Sequence, residues 1–535
     1  MLNDLYNIIS LQSFTVFTEY FIALSIIYIL IVITLITYNS DGLMLQKAIS
    51  ECMALILFMS CYLLVNDDLI AFNFLSFNHS IINDYFAFFT KFLLCFFSAI
   101  YFLFVADSLK EQKLTSFEYL IIILFAILGL IVMCSSYDLL ITYLAIELSS
   151  LAFYILASFK KTSSYSTEGG IKYFITGAVS SAFFLLGSSF IYGIIGSINF
   201  YDFHDLFGLS ILDGNPFRYH CLTDKHFILE LVCRIQELSG IYDLPTPPFD
   251  FNFMEIGFTL ILFSLFIKLA LAPFHLWSLD VYEGSPTSST IFFAVITKLS
   301  LFVILVRFCY NSLSVLKDCW QFYSLWVGLF SIFIGSFGGL KQRKLKTLLA
   351  YSSTSHMGYS LIAISTSTYL GIQMLLFYLI IYMISGLCMW SIFLFLRLKQ
   401  KNGIAKYNKE LGDLVLLKKS NLPMAFSLSL TMFSIAGIPP MAGFMAKLSV
   451  FLPLIWKSFY FMALIGILLS VISTFYYIRI IKVLYFENLL VGKLYYPINS
   501  EKTIILSVLV FSLIFFFVNP TLLYLFCYKV VLTLV

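Results

Sequence analysis

Apolar residues run through this chain in blocks of about twenty, separated by short polar connections. Fourteen blocks cover roughly 18–38, 47–66, 84–106, 117–135, 137–158, 170–196, 254–276, 287–309, 320–340, 344–366, 368–397, 423–456, 461–486 and 503–526, the twelfth interrupted by a break. A bilayer core about 30 Å thick needs about 20 helical residues to cross it. Inside that core each segment must satisfy its own backbone hydrogen bonds, and these blocks are too long for barrel strands. The pattern predicts an all-α polytopic membrane protein of about 14 transmembrane helices. An even count puts both termini on one side.

Lysine and arginine say which side. Connections after odd-numbered spans hold Lys110, Lys113, Lys160, Lys161, Lys341, Arg343, Lys344 and Lys346, and Lys399 to Lys419 supply six more lysines. Short connections after even-numbered spans hold little beyond Lys317 and Lys457. Basic loops stay on the cytoplasmic or matrix face, so both termini are expected on the opposite, intermembrane-space side. Composition agrees: 61% of the 535 residues are hydrophobic and 11% charged, with a net charge of +3. So small and evenly spread a charge argues against nucleic-acid binding.

The charged residues inside the apolar blocks carry the chemistry. Glu147 lies near the middle of span five, in LLITYLAIELSSLAFYILASF. Lys268 lies late in span seven, Lys298 near the centre of span eight, Lys447 just after the break in span twelve, and His356 in the middle of span ten. Each charge at mid-bilayer costs about 2.5–3.5 kcal/mol on insertion scales, so these residues must face protein or water. A structural ion pair between Glu147 and one lysine would account for two of them. Titratable groups at similar depth in neighbouring helices instead form the pattern of a proton relay, to which intramembrane ionisable residues default. A lone histidine such as His356 is equally at home as a satisfied core residue. Tyr143, Glu147, Ser150 and Tyr154 share one helical face, as do Ser352, His356 and Tyr359. Hydroxyls at these intervals can hold water between titrating sites. Gly177, Ser181 and Gly187 in span six read as a small-residue packing stripe.

Two spans contain breakers. Pro273 follows Lys268, and Pro439 and Pro440 precede Lys447. Proline frees backbone carbonyls, which at membrane depth is tolerated beside a cavity. Spans seven and twelve are five apart, so units 4–8 and 9–13 would be inverted relative to one another, as in the inverted repeats of transporters. The expected organisation is a three-helix segment (1–116), a first five-helix unit (117–309) with an extramembrane insertion (197–253), a second unit (320–486) and a final loop and helix (487–535). The proton affinity of a buried lysine depends on nearby charge. Moving Glu147 relative to Lys268 would therefore act as a switch made from one ion pair.

Four stretches carry a family resemblance: APFHLWSLDVYEGSPT, AYSSTSHMGYSL, AGIPPMAGFMAKL and GIKYFITGAVSSAFFLLGSSFIYG. They resemble the NADH dehydrogenase subunit 2 family, antiporter-like membrane subunits of respiratory complex I, over about residues 118–485. The FHLWSLDVYEG run separates this family from subunits 4 and 5. The resemblance implies two inverted five-helix bundles with broken helices seven and twelve, and a central hydrophilic axis. Its functional residues fall on Glu147, Lys268, Lys298, Lys447 and His356. Protonation changes along that axis would be driven by quinone reduction elsewhere in the complex. It also implies a place between the small membrane subunits near the quinone site and subunit 4, with lipids around it. Flavin, iron–sulfur clusters and quinone are expected on other subunits, none on this chain.

The remaining signals agree. The ten cysteines show no C-x-x-C and no metal spacing, and there is no P-loop or dinucleotide-binding fingerprint. Cys221 and Cys233 share the long insertion with His204, His220 and His226, in a spacing that matches no zinc pattern, so a plain surface loop is the expectation there. The N-terminus reads as neither signal nor transit peptide. Abundant Phe, Tyr, Ile, Asn and Lys with little Arg suit an AT-rich organelle genome, and a mitochondrial inner membrane is preferred over a bacterial one. Two other functions fit parts of the pattern: a multisubunit cation/proton antiporter, which shares the lysine axis, and a structural membrane spacer whose charges only hold helices together.

Overall fold

A computed structural model describes residues 16–36, 42–66, 74–203 and 251–534, apart from short breaks at 107, 113, 115, 313–315, 400–404, 408–409, 416, 488–494 and 496–497. The insertion expected at 197–253 lies mostly outside the described residues, together with His204, His220, His226, Cys221 and Cys233. The spans follow in order as α1 (Phe17–Ile36), α2 (Gly42–Val65), α3 (Tyr85–Val105), α4 (Glu118–Ser135), α5 (Leu139–Ser158), α6 (Ser164–Ile195) and α7, broken into α7a (Phe251–Leu269) and α7b (Leu276–Gly284). They continue as α8 (Thr287–Ser312), α9 (Lys317–Leu340), α10 (Leu345–Ser365) and α11 (Tyr369–Phe395). The chain ends with α12a (Leu422–Ala436), α12b (Ala442–Trp456), α13 (Tyr460–Tyr485), α14a (Ser500–Val518) and α14b (Thr521–Leu532). Among the described residues, eleven helices are long and apolar enough to cross a membrane. The spans outside that set are the two-piece α7 and α12, and α10, whose middle is rich in hydroxyls. Those three carry Lys268, Lys447 and His356.

Local chemistry places the starts. Asp84 caps α3 by accepting from the Ala87 amide at 2.7 Å, Asp138 caps α5, and Thr368 caps α11. The centre of the molecule is α8 and α11, both buried except at their ends. The outer helices α1, α2, α6, α13 and α14a keep most of their apolar surface exposed, as lipid-facing helices do. Gly187 of α6 faces Gly257 of α7a where the two helices cross, which places one of the expected small-residue contacts.

Both expected breaks are present. α7a ends where Ala270 takes a left-handed backbone, φ 58°, and α12a ends where Gly437 does so at φ 80°. Span seven does not stop at 276, as the hydrophobic pattern suggested, but continues as α7b to Gly284. Asp280, Glu283 and Tyr282 interrupt the apolar pattern there, yet Asp280 binds Lys172 at 2.7 Å and Glu283 binds Lys344. Lys346 also donates to the Ser285 carbonyl at 2.7 Å. The FHLWSLDVYEG run is thus the segment that ties the first unit to the start of α10. The last span is also corrected: expected as one helix at 503–526, it breaks at Asn519–Pro520, where proline cannot continue the backbone ladder. The short α14b instead returns across the first turns of α11, where Tyr524 stacks on Phe377 and its carbonyl accepts from Gln373. Two short antiparallel hairpins were not anticipated: β1 (Phe74–Ser76) with β2 (Ile81–Asn83), and β3 (Arg397–Lys399) with β4 (Ala405–Tyr407).

Among the described residues two ion pairs are buried in the bundle. Lys91 of α3 meets Glu19 of α1 at 2.5 Å, and Glu19 also accepts from Thr18 and Ser135. Arg307 of α8 binds Asp84 through two hydrogen bonds of 2.8 and 3.2 Å, with its guanidinium over the rings of Phe86 and Tyr137. Removing one partner of a buried pair costs about 3–5 kcal/mol, because the other charge is left without compensation. Arg307→Leu is therefore expected to lower the melting temperature of the detergent-solubilised assembly, and adding Asp84→Asn, which keeps a capping oxygen, to restore part of it. Melting unchanged by Arg307→Leu would show that the pair holds nothing.

Candidate functional site

The site starts on one face of α5. Residues 147, 150 and 154 follow one another at helical spacing. Glu147 accepts from the Ser150 hydroxyl at 3.3 Å through Oε2, while its Oε1 is buried without a hydrogen-bond partner. One turn on, the Tyr154 hydroxyl accepts from Lys268 Nζ at 3.3 Å, and the same ammonium lies 5.8 Å from the Tyr154 ring centre. Tyr154 reaches this position because α6 carries Gly177 there, where an added Cβ would overlap the phenol oxygen at 1.8 Å. Glu147 makes no ion pair. In place of the expected Glu147–Lys268 pair, Ser150 holds the carboxylate and Tyr154 holds the ammonium.

The break in α7 supplies the next contact. Ending α7a at Leu269 frees carbonyls that no longer meet an amide four residues on. Trp277 Nε1 takes the Ile267 carbonyl at 3.0 Å, and Lys298 Nζ takes that of Leu269 at 2.8 Å. Trp277 is held flat against Tyr173, with ring centres 4.5 Å apart. Lys268 and Lys298 line one cavity of about 20 Å³, with Ser149, Ser150, Trp277 and Thr297. That is enough room for a water molecule with several polar partners.

The break in α12 repeats the device. Lys447 of α12b donates to the Ala436 carbonyl, the last of α12a, at 2.6 Å, and its ammonium lies 5.5 Å from the Tyr359 ring centre. Lys447 and His356 line a second cavity of about 10 Å³, and His356 also borders a third of the same size. Tyr382 and Ser385 line both. The two ring nitrogens of His356 are engaged, Nδ1 at 2.5 Å from the Tyr378 hydroxyl and Nε2 at 3.4 Å from that of Tyr477, which in turn lies 3.3 Å from the Tyr476 hydroxyl.

The five expected residues therefore fall into two groups. Glu147, Lys268 and Lys298 gather in the first five-helix unit, and His356 and Lys447 in the second. Sequence reasoning missed Tyr378, Tyr382 and Tyr477, because a tyrosine in an apolar span counts as one more aromatic. It also missed Lys91, although a lysine inside span three gives the same signal as Lys268. Among the described residues no group of three or more His, Cys, Asp or Glu could hold a metal ion.

Known proteins share this fold. A sequence model of the family described as "NADH:quinone oxidoreductase/Mrp antiporter, TM" matches residues 136–473. The chain is 37% identical to NADH-ubiquinone oxidoreductase chain 2 of Marchantia polymorpha over 457 residues, 85% of each protein. The chain belongs to the family of NADH-ubiquinone oxidoreductase chain 2 and NADH-quinone oxidoreductase subunit N. The bacterial side of the family is represented by subunit N of Pelagibacter ubique, 35% identical over 88% of this chain and 89% of that one. The fold is also that of a chain in respiratory complex I from Thermus thermophilus, with TM-score 0.72 and 22% identity over 95% of this chain and 98% of that one. The family match begins just before α5 and ends inside α13, so it spans every residue of the two groups. Tyr154→Phe keeps the ring and removes the hydroxyl that Lys268 donates to. In membranes containing this family member it is expected to slow NADH-driven proton pumping about tenfold or less, within the loss of a single hydrogen bond, at unchanged complex content. Acidification rates equal to the parent's would remove Tyr154 from the path.

Proposed function

We propose that the chain conducts protons as a membrane-arm subunit of NADH:quinone oxidoreductase through Glu147, Lys268, Lys298, His356 and Lys447. Membership of the family makes it a multi-pass membrane subunit of an enzyme that couples NADH oxidation to proton translocation. No redox chemistry is assigned to the chain itself. Its part is to change protonation along the axis when quinone is reduced elsewhere in the complex.

One contrast supports this reading. The bundle pairs Lys91 and Arg307 with carboxylates at 2.5 and 2.8 Å. Lys268, Lys298 and Lys447 instead donate to a phenol and two carbonyls. A buried amine whose partners are neutral is not locked in its charged form by a counter-ion, and a nearby change of charge alters its proton affinity. A spacer that used charge only to hold helices together would pair these amines as it pairs the other two. Glu147, with one oxygen unpartnered, supplies a charge whose reorientation acts on Lys268 across Ser150 and Tyr154.

The partners in this reading are subunit 4 on one side, the small membrane subunits near the quinone site on the other, and lipid around the outer helices. The basic connections suit a matrix-facing side in the mitochondrial inner membrane, with both termini toward the intermembrane space. Flavin, iron–sulfur clusters and quinone belong to other subunits. The two five-helix units, 117–309 and 320–486, act as one half-axis each. An antiporter of the related multisubunit type shares the family model, but the curated relatives over most of the chain are oxidoreductase subunits.

Glu147→Gln and Lys268→Ala are each expected to lower protons pumped per NADH oxidised about twofold or more while the complex still assembles. The measurement is acidification by inhibitor-sensitive NADH oxidation in sealed membranes. Parental stoichiometry in both variants would take these residues out of the mechanism, and sodium-dependent proton flux without NADH would favour the antiporter.

A further inference from the structure

One short stretch of α8 divides the two groups. Residues Phe292–Ile296 form a π-helical turn, a local departure from the α-helical ladder that recurs at functional sites. On one side of it Phe293, Thr297 and Lys298 line the cavity shared with Lys268. On the other side stands Tyr382 of α11, which lines both cavities beside His356. The Tyr382 hydroxyl donates to the Ala294 carbonyl at 2.8 Å, inside the π turn. Packing is tight here: a Cβ on Gly386, one turn along α11, would come within 2.9 Å of Val295 Cγ2. Ser385, beside Gly386, lines the same two cavities.

We propose that the Tyr382 hydroxyl is the relay that joins the Lys268–Lys298 cavity to the His356–Lys447 cavity. The inference rests on the proposed function and adds the connection that the five charged residues lack. A phenol can pass a proton without changing its own charge. It accepts a proton on its oxygen lone pair from a donor on one side and releases its original proton to an acceptor on the other, and rotation about the C–O bond resets it. In the structure the hydroxyl is turned to the Ala294 carbonyl, which has no proton to give. Conduction therefore requires the hydroxyl to leave that carbonyl, and the loosened ladder of the π turn is where such a separation costs least. The bond to Ala294 is the closed state of the link.

The test uses the intact complex in sealed membranes and compares Tyr382→Phe with Glu147→Gln and Lys268→Ala. Tyr382→Phe retains the ring that packs beside His356 and loses only the hydroxyl. The expected result is a drop of about twofold or more in protons pumped per NADH, with parental melting of the solubilised complex. The ratio of pumping rates in H₂O and D₂O should also rise, a change that loss of a merely structural contact would not produce. Normal stoichiometry in Tyr382→Phe, with impaired pumping in the other two variants, would overturn the relay and leave the proposed function standing. Normal stoichiometry in all three would overturn both. Should Tyr382→Phe fail to accumulate, Gly386→Ala interrogates the same wall, because its methyl group presses on Val295 of the π turn. Impaired pumping in that variant, with an altered H₂O/D₂O ratio, supports the relay, and parental pumping overturns it.

Discussion

Three amines sit inside this bundle with neutral oxygens as their hydrogen-bond partners, and the architecture is what makes that sustainable. An uncompensated ammonium in hydrocarbon would be expelled or would drag in a counter-ion. Here two broken helices provide the alternative. Ending α7a at Leu269 and α12a at Ala436 exposes carbonyl oxygens at membrane depth, and Lys298 and Lys447 occupy them. The break and the lysine are therefore one device: without the amine the carbonyl would lack a donor, and without the break the amine would lack an acceptor. The same fold shows what a locked charge looks like, in Glu19–Lys91 and Asp84–Arg307.

The pairing of the device in two five-helix units gives the molecule two similar polar clusters, each beside small cavities of its own. In the first, Ser150 donates to Glu147, Lys268 donates to Tyr154 one turn along the same face, and Lys268 shares its cavity with Lys298. In the second, Lys447 shares its cavity with His356, which is held between Tyr378 and Tyr477. α8 and α11, buried except at their ends, form the partition between them. Putting the partition on the two most buried helices keeps the clusters away from lipid. It also makes their communication depend on a few polar atoms in that wall.

Much of this was legible in the order of residues. Spans of about twenty apolar residues and prolines beside Lys268 and Lys447 announced the membrane fold and its two breaks, because hydrocarbon imposes length and backbone satisfaction on any sequence that crosses it. What the pattern could not carry was contact between distant helices. A direct Glu147–Lys268 pair was the simplest expectation from two opposite charges, yet the depth of Tyr154 and the space left by Gly177 put a phenol between them. The end of span seven was hidden for a related reason: Asp280 and Glu283 look like loop residues until Lys172 and Lys344 arrive to meet them. Tyr378 and Tyr477 gave no signal, since hydropathy does not distinguish a tyrosine that packs from one whose hydroxyl faces a histidine.

The central claim is that these amines are wetted and exchange protons rather than being sealed in place. A density map of the intact complex, at a resolution that shows ordered water and with the enzyme caught during turnover, tests it most directly. The account predicts water within about 3 Å of both Lys268 and Lys298 Nζ in at least one captured state, and water between His356 and Lys447. Dry cavities in every state, with each amine bonded to Tyr154, Leu269 or Ala436 alone, would contradict it.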